Sequence, residues 1–305
     1  MVNTINYQDI CNELYTIRDM IRWSASLFAA NPLFYGHGTD NPWDEALDLV
    51  MQTLKITDEH IDMLLDARLT KQEKNHLLTL IQQRIEQRIP VPYLTHQARF
   101  ADLNFYIDER ALIPRSPIAE LIEASFAPWI DADKITTVLD LCTGSGCIAL
   151  ATAVYLANPD VMIDAVDIST DALDVATINV ATFGLEDQVN IIQSDLFNAL
   201  KGRKYDVIIS NPPYVDAAEM AALPAEYRHE PTLALAAGDD GLAIVHHILN
   251  QAAAHLTEQG ILIVEVGASA EALMAAYPQL PFIWLDFERG GDGVFLLYKG
   301  DLAAL

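Results

Sequence analysis

The sequence predicts an α/β protein: a doubly wound, mostly parallel seven-stranded sheet, with a helical amino-terminal domain and a linking β-hairpin. Three observations point there. From about residue 135 onward, short apolar runs alternate with helix-length segments, as βαβ units require. The run Thr137-Val138-Leu139-Asp140-Leu141 leads into Cys142-Thr143-Gly144-Ser145-Gly146-Cys147, a strand that turns through glycines into a helix. Residues 7–90, in contrast, carry helical apolar spacing.

The helical domain is expected over 1–90. Thr70-Lys71-Gln72-Glu73 is a capping box, and Leu77, Leu78, Ile81, Ile85 and Ile89 then recur at helical spacing up to Pro90. Asn41-Pro42-Trp43-Asp44 places a cap, a proline at the first helical position and an acid near the positive helix end. Leu14, Ile17 and Ile21 give another helical face. The linker is expected over 91–117, where Phe100, Leu103, Phe105 and Ile107 flank a turn at Ala101-Asp102. Ile113-Pro114-Arg115-Ser116-Pro117 leads into a helix near 118–128, which opens a catalytic domain over 118–305. There, strands are expected over 136–141, 161–167, 189–194, 205–210, 260–266, 282–287 and 293–299, with helices near 146–157, 170–183, 240–257 and 269–276. Gly290-Gly291-Asp292-Gly293 splits the last two strands closely enough for a hairpin, so the final strand should run antiparallel.

Composition narrows the function. With 305 residues, about half of them hydrophobic, there is material for two domains and a large core. No apolar run reaches the roughly 18 residues of a membrane span. Met1-Val2-Asn3-Thr4-Ile5-Asn6 lacks the basic and apolar regions of a signal peptide, so a cytoplasmic protein is expected. Cys11, Cys142 and Cys147 form neither a disulfide framework nor a zinc pattern. His37 and Asp40 lack further ligands at suitable spacing and read better as the entrance to a helix capped by Asn41, so no metal is expected. The balance of 18 basic against 43 acidic residues gives a net charge of −25. Basic groupings such as Arg84/Arg88 and Lys201-Arg203-Lys204 are short, so no direct grip on nucleic acid is expected. An acidic surface suits a basic protein partner, or serves solubility alone.

Four features fall at the ends of four successive expected strands, where open α/β sheets bind ligands. Gly144 and Gly146 allow close approach of the backbone to a ligand. Asp167, at the end of the second strand, suits the two hydroxyls of a ribose or serves as a helix cap. Asp195 could accept from the amino group of an adenine. The run Ser210-Asn211-Pro212-Pro213-Tyr214 follows the apolar Tyr205-Asp206-Val207-Ile208-Ile209. The Asn211 side-chain oxygen and a carbonyl held rigid by Pro212 and Pro213 offer two acceptors for the two hydrogens of one NH2 group. Tyr214 offers a flat face for a planar amide or base. This set suits methylation of a planar, weakly nucleophilic nitrogen by positioning and fixed dipoles. The glycine turn lacks the G-x-G-x-x-G spacing of dinucleotide enzymes, which argues against hydride transfer.

Asp140 to Gly146, Asp167, Asp195 and Asn211 to Tyr214 together resemble the class I methyltransferases that use S-adenosylmethionine. The Asn-Pro-Pro-Tyr run is similar to that of amino-methyltransferases, which include adenine N6 enzymes and the HemK-like protein-glutamine N-methyltransferases. Ile89-Pro90-Val91-Pro92-Tyr93-Leu94, Leu112-Ile113-Pro114-Arg115, Glu226-Tyr227-Arg228-His229-Glu230-Pro231 and Ala237-Gly238-Asp239-Asp240-Gly241-Leu242 resemble the glutamine group. Tyr35 to Ala46 and Arg115-Ser116-Pro117-Ile118 resemble its branch that modifies ribosomal protein three of the large subunit, a basic protein. The sister branch, acting on release factors, usually carries Arg-Pro-Asp-Thr at the latter site.

The resemblance implies a cofactor site at Asp140, Cys142, Thr143, Gly144, Ser145, Gly146, Asp167, Asp195, Leu196 and Asn211. It implies catalytic roles for Asn211, Pro212, Pro213 and Tyr214. Cys142 stands where the family usually has glycine. Adenine methylation of DNA or RNA remains an alternative on the same four residues, disfavoured by charge. A cofactor-binding assembly factor without turnover is another, disfavoured by the complete motif.

Overall fold

The computed structural model describes residue 10, residues 12–57, residue 59 and residues 61–305. The amino-terminal hexapeptide and Cys11 lie outside the described residues. The chain divides into two compact units. One runs up to Gln97 and takes in Pro224–His229; the other holds Ala98–Leu223 and Glu230–Leu305.

In the first unit, helices Ile17–Ala29, Pro42–Leu54 and Lys71–Gln87 bury one face each in a common core of Leu14, Ile17, Ile21, Leu49, Leu77 and Ile81. The Asn41 side chain accepts from the N–H groups of Trp43 and Asp44, and Thr70 and Glu73 cap reciprocally. The third helix stops at Gln87, before Pro90, because Arg88 turns left-handed at φ 62°. Pro90 instead precedes a short helix, Val91–Thr95, within the stretch expected to be linker.

Arg84, half of the short basic grouping Arg84/Arg88, is 1% exposed. Its guanidinium donates to Glu45, to Glu226 at 2.9 Å and to the Phe34 carbonyl at 2.8 Å. Glu226 also pairs with Arg88 at 3.4 Å and accepts from the Phe34 N–H. These bonds explain why a segment so far along the chain belongs with the helical unit.

The second unit begins one residue into a hairpin formed by β1 (Gln97–Phe100) and β2 (Leu103–Tyr106). Ala101 and Asp102 both take positive φ, as a tight two-residue hairpin turn demands. The following helix, Ile118–Glu123, ends early, where Ser125 and Phe126 turn left-handed ahead of Pro128. The main sheet comprises β3 (Thr137–Leu141), β4 (Met162–Asp167), β5 (Val189–Gln193), β6 (Tyr205–Ser210), β7 (Leu256–Glu265), β8 (Ile283–Trp284) and β9 (Val294–Tyr298). Its order is β5-β4-β3-β6-β7-β9-β8. The first five strands of that order pair in parallel, and β9 is antiparallel to β7 and β8. This is the doubly wound, mostly parallel seven-stranded sheet expected.

Alternation along the strands feeds two cores. Val138, Val207, Ile209, Ile261 and Ile263 face one layer, while Leu139, Leu141, Ile208, Leu262 and Val264 face the other. Strand β7 begins at Leu256, earlier than expected, because Leu256 pairs with Tyr205 across a bulge at which Gly260 meets the Tyr205 carbonyl. Strand β8 keeps only the two residues that pair with β9.

Arg84→Ala should leave two buried carboxylates without their shared cation. Such a loss typically costs about 3–5 kcal/mol. Denaturant unfolding should therefore show strong destabilisation, and an unchanged midpoint would contradict this reading of the ion network.

Candidate active site

Strand direction sets the site. Chain order runs outward from β3 to β4 and β5, then returns to β6 on the other side of β3, so the C-terminal ends of β3 and β6 border the switch point. A cleft opens there, lined by Arg110, Cys142, Gly144, Asp167, Asp195 and Asn211 together with apolar residues of several loops. Leu196 and Pro213 also line it. Asp140, Thr143, Ser145, Gly146, Pro212 and Tyr214 do not, although the chain brings them alongside.

Asp140 shapes the glycine turn from beneath. Its carboxylate is fully buried, and Oδ2 accepts from the Thr143 hydroxyl and from the Ala149 N–H at 3.1 Å. Oδ1 has no hydrogen-bond partner among the described residues. Burial pushes this carboxyl up to about 7 against those two donors. The turn is also tied to the next strand, since the Thr143 N–H donates to the Val166 carbonyl at 3.0 Å. Gly146 allows close helix packing: a Cβ there would lie 3.2 Å from that of Ala176.

Asp167 ends β4 and joins both loops. Its Oδ2 accepts from the Gly144 N–H and its Oδ1 from the Ser169 N–H, each at 2.9 Å. Burial raises its pKa. The helix cap is Ser169, whose hydroxyl accepts from the Ala172 N–H. Asp195 lies just beyond β5; it is exposed and makes no capping bond with its side chain. Asn211 follows Ser210, the last residue of β6, and its amide makes no side-chain hydrogen bond among the described residues. Ile168 and Leu233, 50% and 58% exposed, give the cleft apolar walls.

Cys142 has φ 60°. A left-handed backbone costs a residue with a Cβ roughly 1–2 kcal/mol, which accounts physically for glycine being usual there. Burial raises the pKa of the Cys142 and Cys147 thiols, the latter to about 12, so neither is disposed to act as a thiolate.

Several residues that frame the cleft carry no sequence signal of their own. Asn179 donates to the carbonyls of Tyr106 and Ser145 and accepts from the Tyr106 N–H, clamping the hairpin to the glycine turn. Arg110 is held by Asp108, whose pKa falls to about 2 chiefly through these guanidinium hydrogen bonds. Glu230, by contrast, belongs to the Glu226 to Pro231 run that carries the resemblance, and it forms a bidentate pair with Arg115 at 2.6 and 2.8 Å. It also accepts from the Ile113 N–H at 3.1 Å. That pair fixes the start of the loop supplying Pro231, Leu233, Ala234 and Ala236 to the cleft.

The raised Asp140 carboxyl gives a pH signature. Below about pH 4 the group is protonated in both folded and unfolded chains. Between there and about 7 the folded chain keeps a proton that the unfolded chain has lost, so stability falls as pH rises. Asp140→Asn has no such proton to lose. Its unfolding free energy relative to the parent should rise across that window and level off above it. A pH-independent difference in denaturant titrations would refute the assignment.

Comparison with known proteins supplies the lineage. The methyltransferase small domain family matches residues 124–226. The ribosomal protein uL3 glutamine methyltransferase of Francisella tularensis subsp. tularensis is 50% identical over 296 residues, covering 97% of this chain and 94% of its own. That of Neisseria meningitidis serogroup A is 49% identical over 300 residues, covering 98% of each chain. Identity of this extent, over nearly the whole of both proteins, places the chain in the family of ribosomal protein uL3 glutamine methyltransferases.

Proposed function

We propose that the chain transfers a methyl group from S-adenosylmethionine to the side-chain amide nitrogen of a glutamine in ribosomal protein three of the large subunit. The observation that carries this reading is Asn211: an amide at the end of β6, on the wall of the cleft, with no side-chain hydrogen bond to any described residue. The choice of substrate is supported by the full-length relatives named for it.

The cleft suits the cofactor chemically. Each oxygen of Asp167 takes one backbone N–H and keeps acceptor capacity for ribose hydroxyls. Asp195 has an exposed carboxylate that would accept from the adenine amino group, and Leu196 and Ile168, which line the cleft, would offer apolar surface to its ring. Beyond Gly144 the space where a side chain would project is open. When bound, the cofactor supplies an electrophilic methyl on its sulfonium.

The glutamine nitrogen is a poor nucleophile because its lone pair is delocalised into the carbonyl. In this proposal the Asn211 oxygen and the Pro212 carbonyl hold its two N–H groups and favour a nitrogen gaining positive charge, while Tyr214 holds the amide plane. Catalysis is then positioning plus fixed dipoles, with water accepting the proton late or after transfer. The helical unit is proposed as the substrate-docking part. A net charge of −25 favours a basic protein over a polyanion and supports the absence of a nucleic-acid grip. No helix among the described residues is long and apolar enough to cross a membrane, and a cytoplasmic setting is part of the same proposal.

The test is intact mass with peptide mapping after incubation with S-adenosylmethionine and, separately, the ribosomal protein, a peptide release factor and an adenine-containing duplex. One added methyl on a single glutamine of the ribosomal protein alone is expected. Methylation of the release factor would move the protein to the sister branch, and methylation of only the duplex would overturn the substrate class. Asn211→Ala should lower kcat on the order of 10²–10³-fold while cofactor affinity, by calorimetry, stays close to the parent value. A matching loss of cofactor affinity would contradict the role given to Asn211.

A further inference from the structure

We infer that Glu265 is a positioning residue for this methyl transfer, acting through Tyr214. The inference rests on the proposed function and adds a residue to it. Ser210 and Val264 are register partners in the parallel pair β6–β7, so Asn211, the residue after β6, and Glu265, the last residue of β7, lie at the same sheet edge. Glu265 is buried, and no cation forms an ion pair with it among the described residues. A buried carboxylate is costly unless its oxygens are satisfied, and the Arg115 charge acts on this one only from beyond ion-pair range. Here hydroxyls satisfy both oxygens. Tyr214 donates to Oε1 at 2.9 Å, and Ser116, on the segment after the hairpin, donates to Oε2. The Ser116 hydroxyl also accepts from the Ile118 N–H, which fixes its own orientation.

Glycines complete the brace. A Cβ at Gly267, two residues beyond Glu265, would lie 2.7 Å from Cε2 of Tyr214, so the ring rests against bare backbone. A Cβ at Gly241 would lie 2.4 Å from the Tyr214 carbonyl oxygen. The Ser269 hydroxyl shares its single hydrogen between that same oxygen at 3.4 Å and the Asp240 carbonyl at 3.3 Å. Gly293 packs equally tightly on Gly267, and its carbonyl accepts from the Val266 N–H at 2.7 Å. The tyrosine is thus held at its hydroxyl, ring and carbonyl. Its two side-chain torsions are fixed before substrate arrives, which is what orientation of a planar amide demands. Tyr214 does not line the cofactor cleft, so its role lies with the acceptor and Glu265 should affect turnover rather than cofactor binding.

Four variants test this: Glu265→Ala, Glu265→Gln, Tyr214→Phe and the Tyr214→Phe/Glu265→Ala double. Glu265→Ala should lower kcat on the order of 10²-fold, the scale of a misplacement of about 1 Å, with KM for S-adenosylmethionine near the parent value. Glu265→Gln keeps an acceptor for the phenol and should recover most of that rate. The double variant should be no slower than the slower single variant, because both remove one contact. Multiplicative losses in the double variant, or a rise in cofactor KM that tracks the loss of kcat, would overturn the inference. Should Glu265→Ala not fold, the comparison of Glu265→Gln with Tyr214→Phe decides: a rate for Glu265→Gln as low as that of Tyr214→Phe counts against a hydrogen-bonding brace. Crystal structures separate this from the parent reading. A Tyr214 ring unmoved in Glu265→Ala sinks the brace even if the enzyme turns over. A parent protein inactive on every substrate sinks the proposed function while the ring position still reports on the brace.

Discussion

Parallel pairing of β3, β4, β5, β6 and β7 is the constraint on which the rest depends. Strands aligned in one direction deliver all their C-terminal ends to one edge, and the chain must leave each end through a loop. Glycines after β3, Asp167 at the end of β4, Asp195 after β5 and Asn211 after β6 therefore meet although they are spread over some 70 residues of sequence. Strand order adds the opening: loops diverge where β4 and β6 leave opposite sides of β3, and the cleft lies between them.

Holding those loops requires buried polar contacts, and the scarcity of cations makes their placement informative. Only 18 basic residues face 43 acidic ones. Many of the arginines are committed internally: Arg84 to Glu45 and Glu226, Arg110 to Asp108, Arg115 to Glu230, Arg203 to Asp164. The cations thus stitch loops within each unit, and excess carboxylates remain for the surface. A negative surface field of this kind steers basic partners and repels polyanions. The same economy explains the two acids of the glycine turn. Asp140 and Asp167 have no cationic partner among the described ion pairs; backbone N–H groups and a threonine hydroxyl serve both oxygens of Asp167 and Oδ2 of Asp140 but leave Oδ1 of Asp140 without a partner, and burial raises both pKa values.

Much of the fold was legible because its signals are local. A capping box spans four residues, a hairpin turn two, and strand alternation repeats every second residue, so Thr70, Asn41, Ala101-Asp102 and the alternating Val138-Leu139 pattern could be read directly. Boundaries were less legible where a neighbour decides them. Leu256 joins β7 because Tyr205 is opposite, and Arg88 ends its helix two residues ahead of Pro90, the limit that local pattern predicts.

The sequence by itself determined the order of elements, the glycine turn, the acids at strand ends and the Asn-Pro-Pro-Tyr run, since each is written in contiguous residues. Tertiary structure alone decided which of them line the cleft and which support it. Asp140 reads like a ligand-facing acid, yet burial under the turn makes it a scaffold; Tyr214 reads like an open face, yet its hydroxyl is engaged by Glu265. The deciding contacts join residues far apart, such as Arg84 with Glu226, separated by 142 positions, and Ser116 with Glu265, separated by 149. Such pairs have no local periodicity or spacing to betray them, because chain closure, not sequence proximity, brings them within hydrogen-bonding distance.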